Sequence, residues 1–215
     1  MTIDALIFDI GGVLIRTQLL EPRRKWERRY QLHPWQLQDL FFNSPVGHAA
    51  QLGQASTDDA WNYLSRTLAL PTDELVELKR DFFAGDVLDC KIMALIRSLR
   101  PHYKTAILSN AMPDARESLK DKINQETFDV LVFSGEEGVR KPDAEIYRRV
   151  LARLAVQPNQ AVFIDDVVAN VTAARKLGMQ AIHYVEGMSL AAALRYKGVM
   201  PSARTVPQGT GQQAR

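Results

Sequence analysis

The sequence has almost no cysteine: Cys90 is the only one among 215 residues. A single cysteine cannot form an intramolecular disulfide, so the chain does not depend on an oxidising compartment, and we expect a cytoplasmic protein. Cys90 begins an apolar helical pattern that continues to Leu99. That setting predicts a packed or half-buried thiol and not a nucleophile.

Long hydrophobic runs and a strong charge of either sign are also absent. The first apolar stretch, Ala5 to Ile15, is interrupted by Asp9 and two glycines, and no basic segment precedes it. It is too short to span a bilayer and does not have the pattern of an export signal. The formal net charge is only +2, which indicates neither nucleic acid nor an anionic membrane as a partner. No feature of the sequence indicates an obligate protein partner.

Five basic residues between positions 23 and 29 could suggest a nucleic-acid contact. The surrounding interval, 16–86, nevertheless contains nine Lys and Arg against ten Asp and Glu. Trp26 and Tyr30 are one helical turn apart and predict the buried face of a helix. We therefore expect the basic residues to lie on the solvated side of that helix.

Five short apolar runs, rich in β-branched and aliphatic residues, predict strands. They are Ala5–Phe8, Thr105–Leu108, Val130–Phe133, Ala161–Ile164 and Ala181–Val185. Near-continuous apolarity indicates strands covered on both faces, as in a parallel sheet. Helical patterns lie between the later runs, at Lys91–Leu99, Asp143–Leu154 and Val167–Leu177. This alternation predicts an α/β fold with a doubly wound parallel sheet.

The interval between the first two runs contains helical patterns only. One pattern, Pro34–Phe42, opens on a proline, which the first turn of a helix tolerates. Ser56 and Thr72 are candidate caps for two more helices. We therefore predict a small all-helical cap, 16–86, inserted after the first strand of an α/β core that comprises 1–15 and 87–200. The segment 201–215, rich in Gly, Gln and Pro, predicts a disordered tail.

Polar residues follow the predicted strands, at the sheet edge where open α/β sheets bind ligands. They are Asp9, Ser109, Asn110, Lys141, Asp165, Asp166 and, one helical turn later, Asn170. Each residue alone has an ordinary explanation as a helix cap, a dipole partner or a solvated charge. Together they bring three carboxylates to one edge, where they repel one another unless a cation neutralises them. Hard oxygen ligands favour Mg²⁺, which also accepts phosphate oxygens.

Four motifs, in this order, resemble those of the haloacid dehalogenase superfamily. They are FDIGGVL (Phe8–Leu14), ILSN (Ile107–Asn110), GVRKPDAEIY (Gly138–Tyr147) and FIDDVVAN (Phe163–Asn170). The stretch Gly138–Met179 is also similar to the phosphatase domain of soluble epoxide hydrolases and to small bacterial sugar-phosphate phosphatases. The resemblance implies a Rossmann-like core with a helical cap that closes over the site, and it implies a phosphatase. The substrate it implies is a small organic phosphate monoester such as a sugar phosphate.

The resemblance also implies a role for each residue of the edge. Asp9 would attack phosphorus and become a phosphoaspartate. Ser109 and the backbone of Asn110 would bind the phosphoryl oxygens, and Lys141 would neutralise charge on Asp9 and on the transferring group.

The metal ligands are implied in the same way. Asp9, Asp166 and the backbone carbonyl of Gly11 would hold Mg²⁺, with Asp165 supporting the metal site. Asn170 would orient these acids without touching the metal.

One position departs from the pattern of the family's phosphatases. They usually carry a second aspartate, two residues after the nucleophile, that protonates the leaving oxygen; here that position is Gly11. General acid catalysis is worth roughly 10²–10⁴-fold, so its loss matters. His48, in the predicted cap loop 45–53, is a candidate for substrate contact and for a replacement donor, although a polar surface loop explains it equally well. The remaining histidines, His33, His102 and His183, have no metal-ligand spacing and are predicted to be structural.

Two other functions remain open. A catalytically silent member of the superfamily, which binds a ligand or partner, would explain Gly11. A metal-independent haloacid dehalogenase would also lack the second aspartate, but the paired acids Asp165 and Asp166 favour a cation, and a cation favours phosphate.

Overall fold

A parallel sheet forms the centre of the molecule in a computed structural model, which describes residues 2–199. Its five strands lie in the order β5–β4–β1–β6–β7. Their bounds are Ala5–Phe8 for β1, Lys104–Ser109 for β4, Val130–Phe133 for β5, Ala161–Asp165 for β6 and Gln180–His183 for β7. All four strand pairs are parallel, which confirms the predicted fold class.

The position of the central strand, β1, determines which side chains meet at one edge of the sheet. Phe8 is in register with Ile107 of β4 on one side and with Ile164 of β6 on the other. All four residues of β1 are fully buried, because the sheet is covered on both faces. The side chains that follow β1, β4 and β6 therefore meet at one edge of the sheet.

Helices cover the two faces of the sheet. Their bounds are Cys90–Leu99 for α6, Ala115–Ser118 for α7, Ser134–Glu137 for α8, Ala144–Leu154 for α9, Val168–Lys176 for α10 and Leu190–Tyr196 for α11. One apolar cluster joins α6 and α11 to Leu6 and Phe8 of β1, and a second joins α9 and α10 to Ala5 and Ile7. Alternate residues of β1 thus face opposite clusters, as the pleat requires.

The interval between β1 and β4 contains five more α-helices among the described residues. They are Glu21–Arg29 (α1), Gln36–Gln38 (α2), Pro45–Ala50 (α3), Thr57–Leu68 (α4) and Thr72–Phe82 (α5). A third apolar cluster holds them together around Phe41, Trp61 and Phe82, and Met112 from the loop after β4 joins it. The proposed division into core and cap stays a prediction.

A two-stranded antiparallel ribbon corrects the prediction that this interval is helical throughout. Its strands are Ile15–Thr17 (β2) and Asp86–Leu88 (β3). Strands of three residues are too short to show a period of two, so no pattern predicted them. Asp89, which follows β3, caps α6 and pairs with Arg16. The ribbon thereby ties both ends of the helical interval to the sheet domain.

Several helix and strand predictions were wrong in detail. The helix predicted from Pro34 is a turn with Trp35 at φ 71°, then α2 and a π-helical segment, Asp39–Asn43. Thr72 is the first residue of α5 and makes no cap, because Pro71 occupies the cap position. The last strand, β7, ends at His183 and not at Val185.

Two predictions of exposure were also wrong. Cys90 is exposed, because it is the first residue of α6 and lies outside the apolar stripe of that helix. Arg23 is buried and not solvated. Its guanidinium donates to both carboxylate oxygens of Asp86, at 2.8 and 3.0 Å, and to Gln38 at 2.7 Å, and these bonds offset the loss of water.

No helix within residues 2–199 is long and apolar enough to cross a membrane. The tail predicted at 201–215 lies outside the described residues.

Candidate active site

Asp9 occupies the position directly after β1. Its backbone N–H donates to the carbonyl of Ile164 at 2.9 Å, which continues the sheet for one residue. Its carboxylate oxygen Oδ1 accepts a hydrogen bond from the N–H of Ile10 at 2.7 Å. Only 7% of Asp9 is exposed, so the other oxygen, Oδ2, needs a partner inside the protein.

Lys141 supplies that partner. Its Nζ lies 2.9 Å from Oδ2 of Asp9 and 2.7 Å from Oδ2 of Asp165, and it donates to the carbonyl of Leu108 at 3.0 Å. The Lys141 side chain is 1% exposed. A buried ammonium is stable only when it is paired, and here two carboxylates and a carbonyl surround it.

Asn110 fixes the backbone of Lys141. Its amide oxygen accepts from the Lys141 N–H at 2.8 Å, and its amide nitrogen donates to the Lys141 carbonyl at 2.9 Å. Ser109, the last residue of β4, is 6% exposed. Among residues 2–199 its hydroxyl makes no hydrogen bond, so it is available to donate to a ligand.

Asp165 is fully buried at the end of β6. Besides Lys141, it accepts from the N–H of Val167 at 2.7 Å and from the amide of Asn170, which lies 3.1 Å from each of its oxygens. These contacts occupy both carboxylate oxygens, and they set the direction in which Lys141 and Asn170 point.

Asp166 completes a group of three carboxylates. One oxygen from each of Asp9, Asp165 and Asp166 lies within 4.8 Å of the others. Asp166 is exposed, whereas the other two are buried, so the group opens toward solvent at Asp166. Carboxylate oxygens grouped in this way have the donor chemistry of a site for a hard divalent cation.

Burial and the neighbouring charges raise the pKa values of three groups at the site. Burial raises the pKa of Asp9 to about 7; the ammonium of Lys141 opposes this, and the charge of Asp165 adds to it. Burial alone disfavours the Lys141 ammonium, but the charges of Asp9 and Asp165 outweigh it and raise the pKa of Lys141. Partial desolvation of its carboxylate and the charge of Asp165 raise the pKa of Asp166. A further positive charge beside the carboxylates would lower these carboxylate pKa values.

The two glycines after Asp9 have different surroundings. A Cβ atom on Gly11 would have no heavy atom within 4 Å, whereas on Gly12 it would lie 2.1 Å from Oδ2 of Asp166. Gly12 also has φ 72°, a conformation that side chains rarely adopt. The conformation of the loop therefore requires glycine at position 12 but not at position 11.

Comparison with known proteins identifies the family. A family model described as "haloacid dehalogenase-like hydrolase" matches residues 3–178. The chain belongs to that family.

Two relatives in sequence agree with this assignment, and a solved structure agrees with the fold. A sesquiterpene phosphatase of Aspergillus oryzae is 27% identical, over 90% of this chain and 96% of the relative. Bifunctional epoxide hydrolase 2 of Sus scrofa is 33% identical, over 85% of this chain but only 36% of the relative. A HAD family enzyme of Bacteroides thetaiotaomicron, solved with magnesium and inorganic phosphate, superposes with a TM-score of 0.75, 19% identity and coverage of 90% and 100% of the two chains.

His48 lies on α3, outside the hydrogen-bonded group. Within residues 2–199 no hydrogen bond or ion pair joins it to Asp9, Ser109 or Lys141. Burial, and then the nearby charge of Arg140, lower the pKa of His48. Gln51, the residue directly after α3, accepts a hydrogen bond from Arg140 at 3.0 Å. The helical region therefore contacts the backbone neighbour of Lys141, and His48 lies near that contact.

Two supporting residues were not found from the sequence. The hydroxyl of Tyr147, which is fully buried on α9, donates to the carbonyl of Asn170 at 3.0 Å. The ring of His183 contacts the carbonyl of Asp166 at 2.9 Å. Both act on backbone atoms distant in sequence, so no spacing or motif could reveal them.

Proposed function

We propose that this protein is a Mg²⁺-dependent phosphatase that hydrolyses small organic phosphate monoesters through a phosphoaspartate on Asp9. The observation that carries the proposal is the buried Lys141 ammonium, which bridges Asp9 and Asp165, two of the three carboxylates in the group. A lysine held between acids at the end of parallel strands suits a site that must neutralise the charge of a transferring phosphoryl group.

The residues at the site fit a magnesium ion. We assign Asp9, Asp166 and the carbonyl of Gly11 as its ligands. Asp165 supports them indirectly, because its oxygens already accept bonds from Lys141, Val167 and Asn170. When bound, the cation would neutralise charge on the carboxylates and on the phosphoryl oxygens.

The side chains of the protein divide the reaction into two displacements. A carboxylate oxygen of Asp9 forms a bond to phosphorus as the ester P–O bond breaks, and the leaving oxygen takes a proton from water or from a donor in the cap region. Water then attacks the phosphoaspartate, which releases phosphate and regenerates Asp9. Lys141 holds the Asp9 carboxylate and balances charge, and the unpaired hydroxyl of Ser109 and the N–H of Asn110 bind phosphoryl oxygens.

The proposed substrate class is a small organic phosphate monoester. The relative from Aspergillus oryzae is named a sesquiterpene phosphatase. Its name favours testing prenyl phosphates beside sugar phosphates. We keep the cytoplasm as the proposed compartment.

The test is phosphate release from p-nitrophenyl phosphate and from a panel of sugar and prenyl phosphates, with and without Mg²⁺. The Asp9→Asn variant is the control for contaminating phosphatases. Mg²⁺-dependent turnover by wild type and none by Asp9→Asn supports the proposal. No turnover of any ester, with phosphate-analogue binding retained, would favour the silent relative that Gly11 also suits. Halide release from a 2-haloacid without metal would favour the dehalogenase.

A further inference from the structure

His183 is the last residue of β7, in register with Asp165 of the neighbouring strand β6. This register brings its half-buried ring to the loop that follows β6, where Nε2 lies 2.9 Å from the backbone oxygen of Asp166. A carbonyl oxygen can only accept a hydrogen bond. Nε2 of His183 therefore carries the hydrogen and donates it.

The peptide unit between Asp166 and Val167 makes a hydrogen bond at each end. His183 donates to its carbonyl oxygen, and its N–H donates to Asp165. The carbonyl of that unit belongs to Asp166, and its N–H belongs to Val167, which donates to Oδ1 of Asp165 at 2.7 Å. Donation to a peptide carbonyl polarises the unit and strengthens its N–H as a donor. The adjacent N–H of Tyr184 donates to the Asp165 carbonyl at 2.9 Å. The end of β7 thus restrains the loop between β6 and α10 through hydrogen bonds to two consecutive carbonyls, those of Asp165 and Asp166.

Among residues 2–199, the Asp166 carboxylate accepts a hydrogen bond from its own backbone N–H and from no other residue. Asp166 is exposed, and its carboxylate occupies the space that a Cβ atom on Gly12 would need. Fixing the Asp166 carbonyl restricts the rotation of its backbone, and this in turn restricts where its carboxylate can point. A flexible, exposed ligand binds a cation more weakly than one that is already oriented.

We propose that His183 is a positioning residue that orients Asp166 for Mg²⁺ through the hydrogen bond to the Asp166 carbonyl. This inference rests on the proposed function, because Asp166 is a ligand only if the site binds the cation. It assigns a role to a histidine whose sequence context predicts a structural residue only.

Mg²⁺ binding to the intact protein, without substrate, tests the inference. Titration calorimetry gives the affinity, and Mn²⁺ electron paramagnetic resonance gives a second readout that does not depend on activity. The variants are His183→Gln, whose amide can replace Nε2 as a donor, His183→Leu, which fills the space without a donor, and His183→Asn, whose amide is too short to reach. His102→Leu is the matched control, because His102 is exposed in a loop far along the chain from the acids.

We expect His183→Leu and His183→Asn to weaken Mg²⁺ binding roughly ten-fold or more. His183→Gln and His102→Leu should bind like wild type, and excess Mg²⁺ should restore kcat in the Leu and Asn variants. If His183→Leu does not fold, His183→Asn decides, with thermal melting as the check.

Unchanged affinity in the variants without a donor overturns the inference and leaves the metal site intact. Loss of affinity in His183→Gln equal to that in His183→Leu also overturns it, because the ring would then act through packing alone. Absence of Mg²⁺ binding by wild type overturns the proposed metal site and the inference with it, and the wild-type titration alone shows which of these has failed.

Discussion

Nζ of Lys141 lies 2.9 Å from Oδ2 of Asp9, and the two side chains are only 1% and 10% exposed. The atoms of an ion pair this deeply buried contribute to the stability of the fold and also take part in the proposed reaction. Removing one partner leaves the other charge buried without compensation. Substitutions here are therefore expected to affect folding as well as turnover, and the two effects must be measured separately.

Lys141→Met is expected to lower kcat and to destabilise the protein by about 3–5 kcal/mol, because Asp9 and Asp165 lose their common counter-charge. Activity at saturating substrate and urea unfolding measure the two effects. Lys176→Met, at an exposed position on α10, is the control and should change neither. An effect of Lys141→Met confined to KM would contradict a role in balancing charge that grows along the reaction.

Asp166→Ala is expected to raise the Mg²⁺ concentration needed for half-maximal activity, because it removes the exposed carboxylate of the group. The fold should be unaffected, since Asp166 is exposed and its carboxylate supports no packed element. Asp121→Ala removes an exposed acid elsewhere and serves as the control. Full wild-type activity in excess EDTA would contradict the metal requirement altogether.

The glycine pair provides a test of the loop after Asp9. Gly11→Ala should be tolerated, because its Cβ would meet nothing within 4 Å. Gly12→Ala should lose at least roughly 1–2 kcal/mol through its left-handed backbone. It should also displace the Asp166 carboxylate and so weaken Mg²⁺ binding. Melting temperature and Mg²⁺ titration distinguish the two variants. Equal melting temperatures and equal Mg²⁺ affinities for Gly11→Ala and Gly12→Ala would show that the loop does not have the conformation described.

The open space at Gly11 also makes the missing acid testable. Without a proton donor, the rate of the first displacement should fall steeply as the pKa of the leaving alcohol rises from phenols to alkyl alcohols. Gly11→Asp has room for its side chain and should flatten this slope, with a gain of up to roughly 10²–10⁴-fold on alkyl esters. Single-turnover rates on a series of phenyl and alkyl phosphates measure the slope, and Gly11→Ala is the control for the change in backbone.

A shallow slope in wild type would mean that another donor already acts. His48 is then the candidate, since Gln51, directly after α3, accepts a hydrogen bond from Arg140, the neighbour of Lys141. His48→Ala should steepen such a slope. A shallow slope that His48→Ala leaves unchanged would remove His48 from consideration.

The grouping of the candidate site residues could be predicted from the sequence, because parallel strands bring their carboxyl ends to one edge whatever lies between them. Asp9 and Asp165 are neighbours for that reason, although they are 156 positions apart, and Lys141 joins them from the loop that follows β5 and α8. The residues that support them could not be predicted in the same way. Tyr147 and His183 donate to backbone carbonyls, and a backbone carbonyl has no sequence signature.

Other errors have equally physical causes. The ribbon of β2 and β3 is too short for its period to be visible, and its pairing is decided by contacts across about 70 residues. Arg23 was expected in solvent because basic residues usually are, but Asp86 at the end of the helical interval provides its partner. Tertiary pairing of this kind cannot be inferred from the composition of one helix.

The central claim is that Asp9 carries the phosphoryl group, and the most direct measurement is to trap it there. Wild type and Asp9→Asn are mixed with a substrate identified in the panel, quenched in acid within one turnover and digested for mass spectrometry of the peptide that contains residue 9. The account predicts one added phosphoryl group on Asp9 in wild type, formed at the rate of the first displacement, and none in a folded Asp9→Asn protein, which should also release no phosphate. Phosphate release by folded Asp9→Asn, or a phosphoryl group trapped on any other residue, would contradict it.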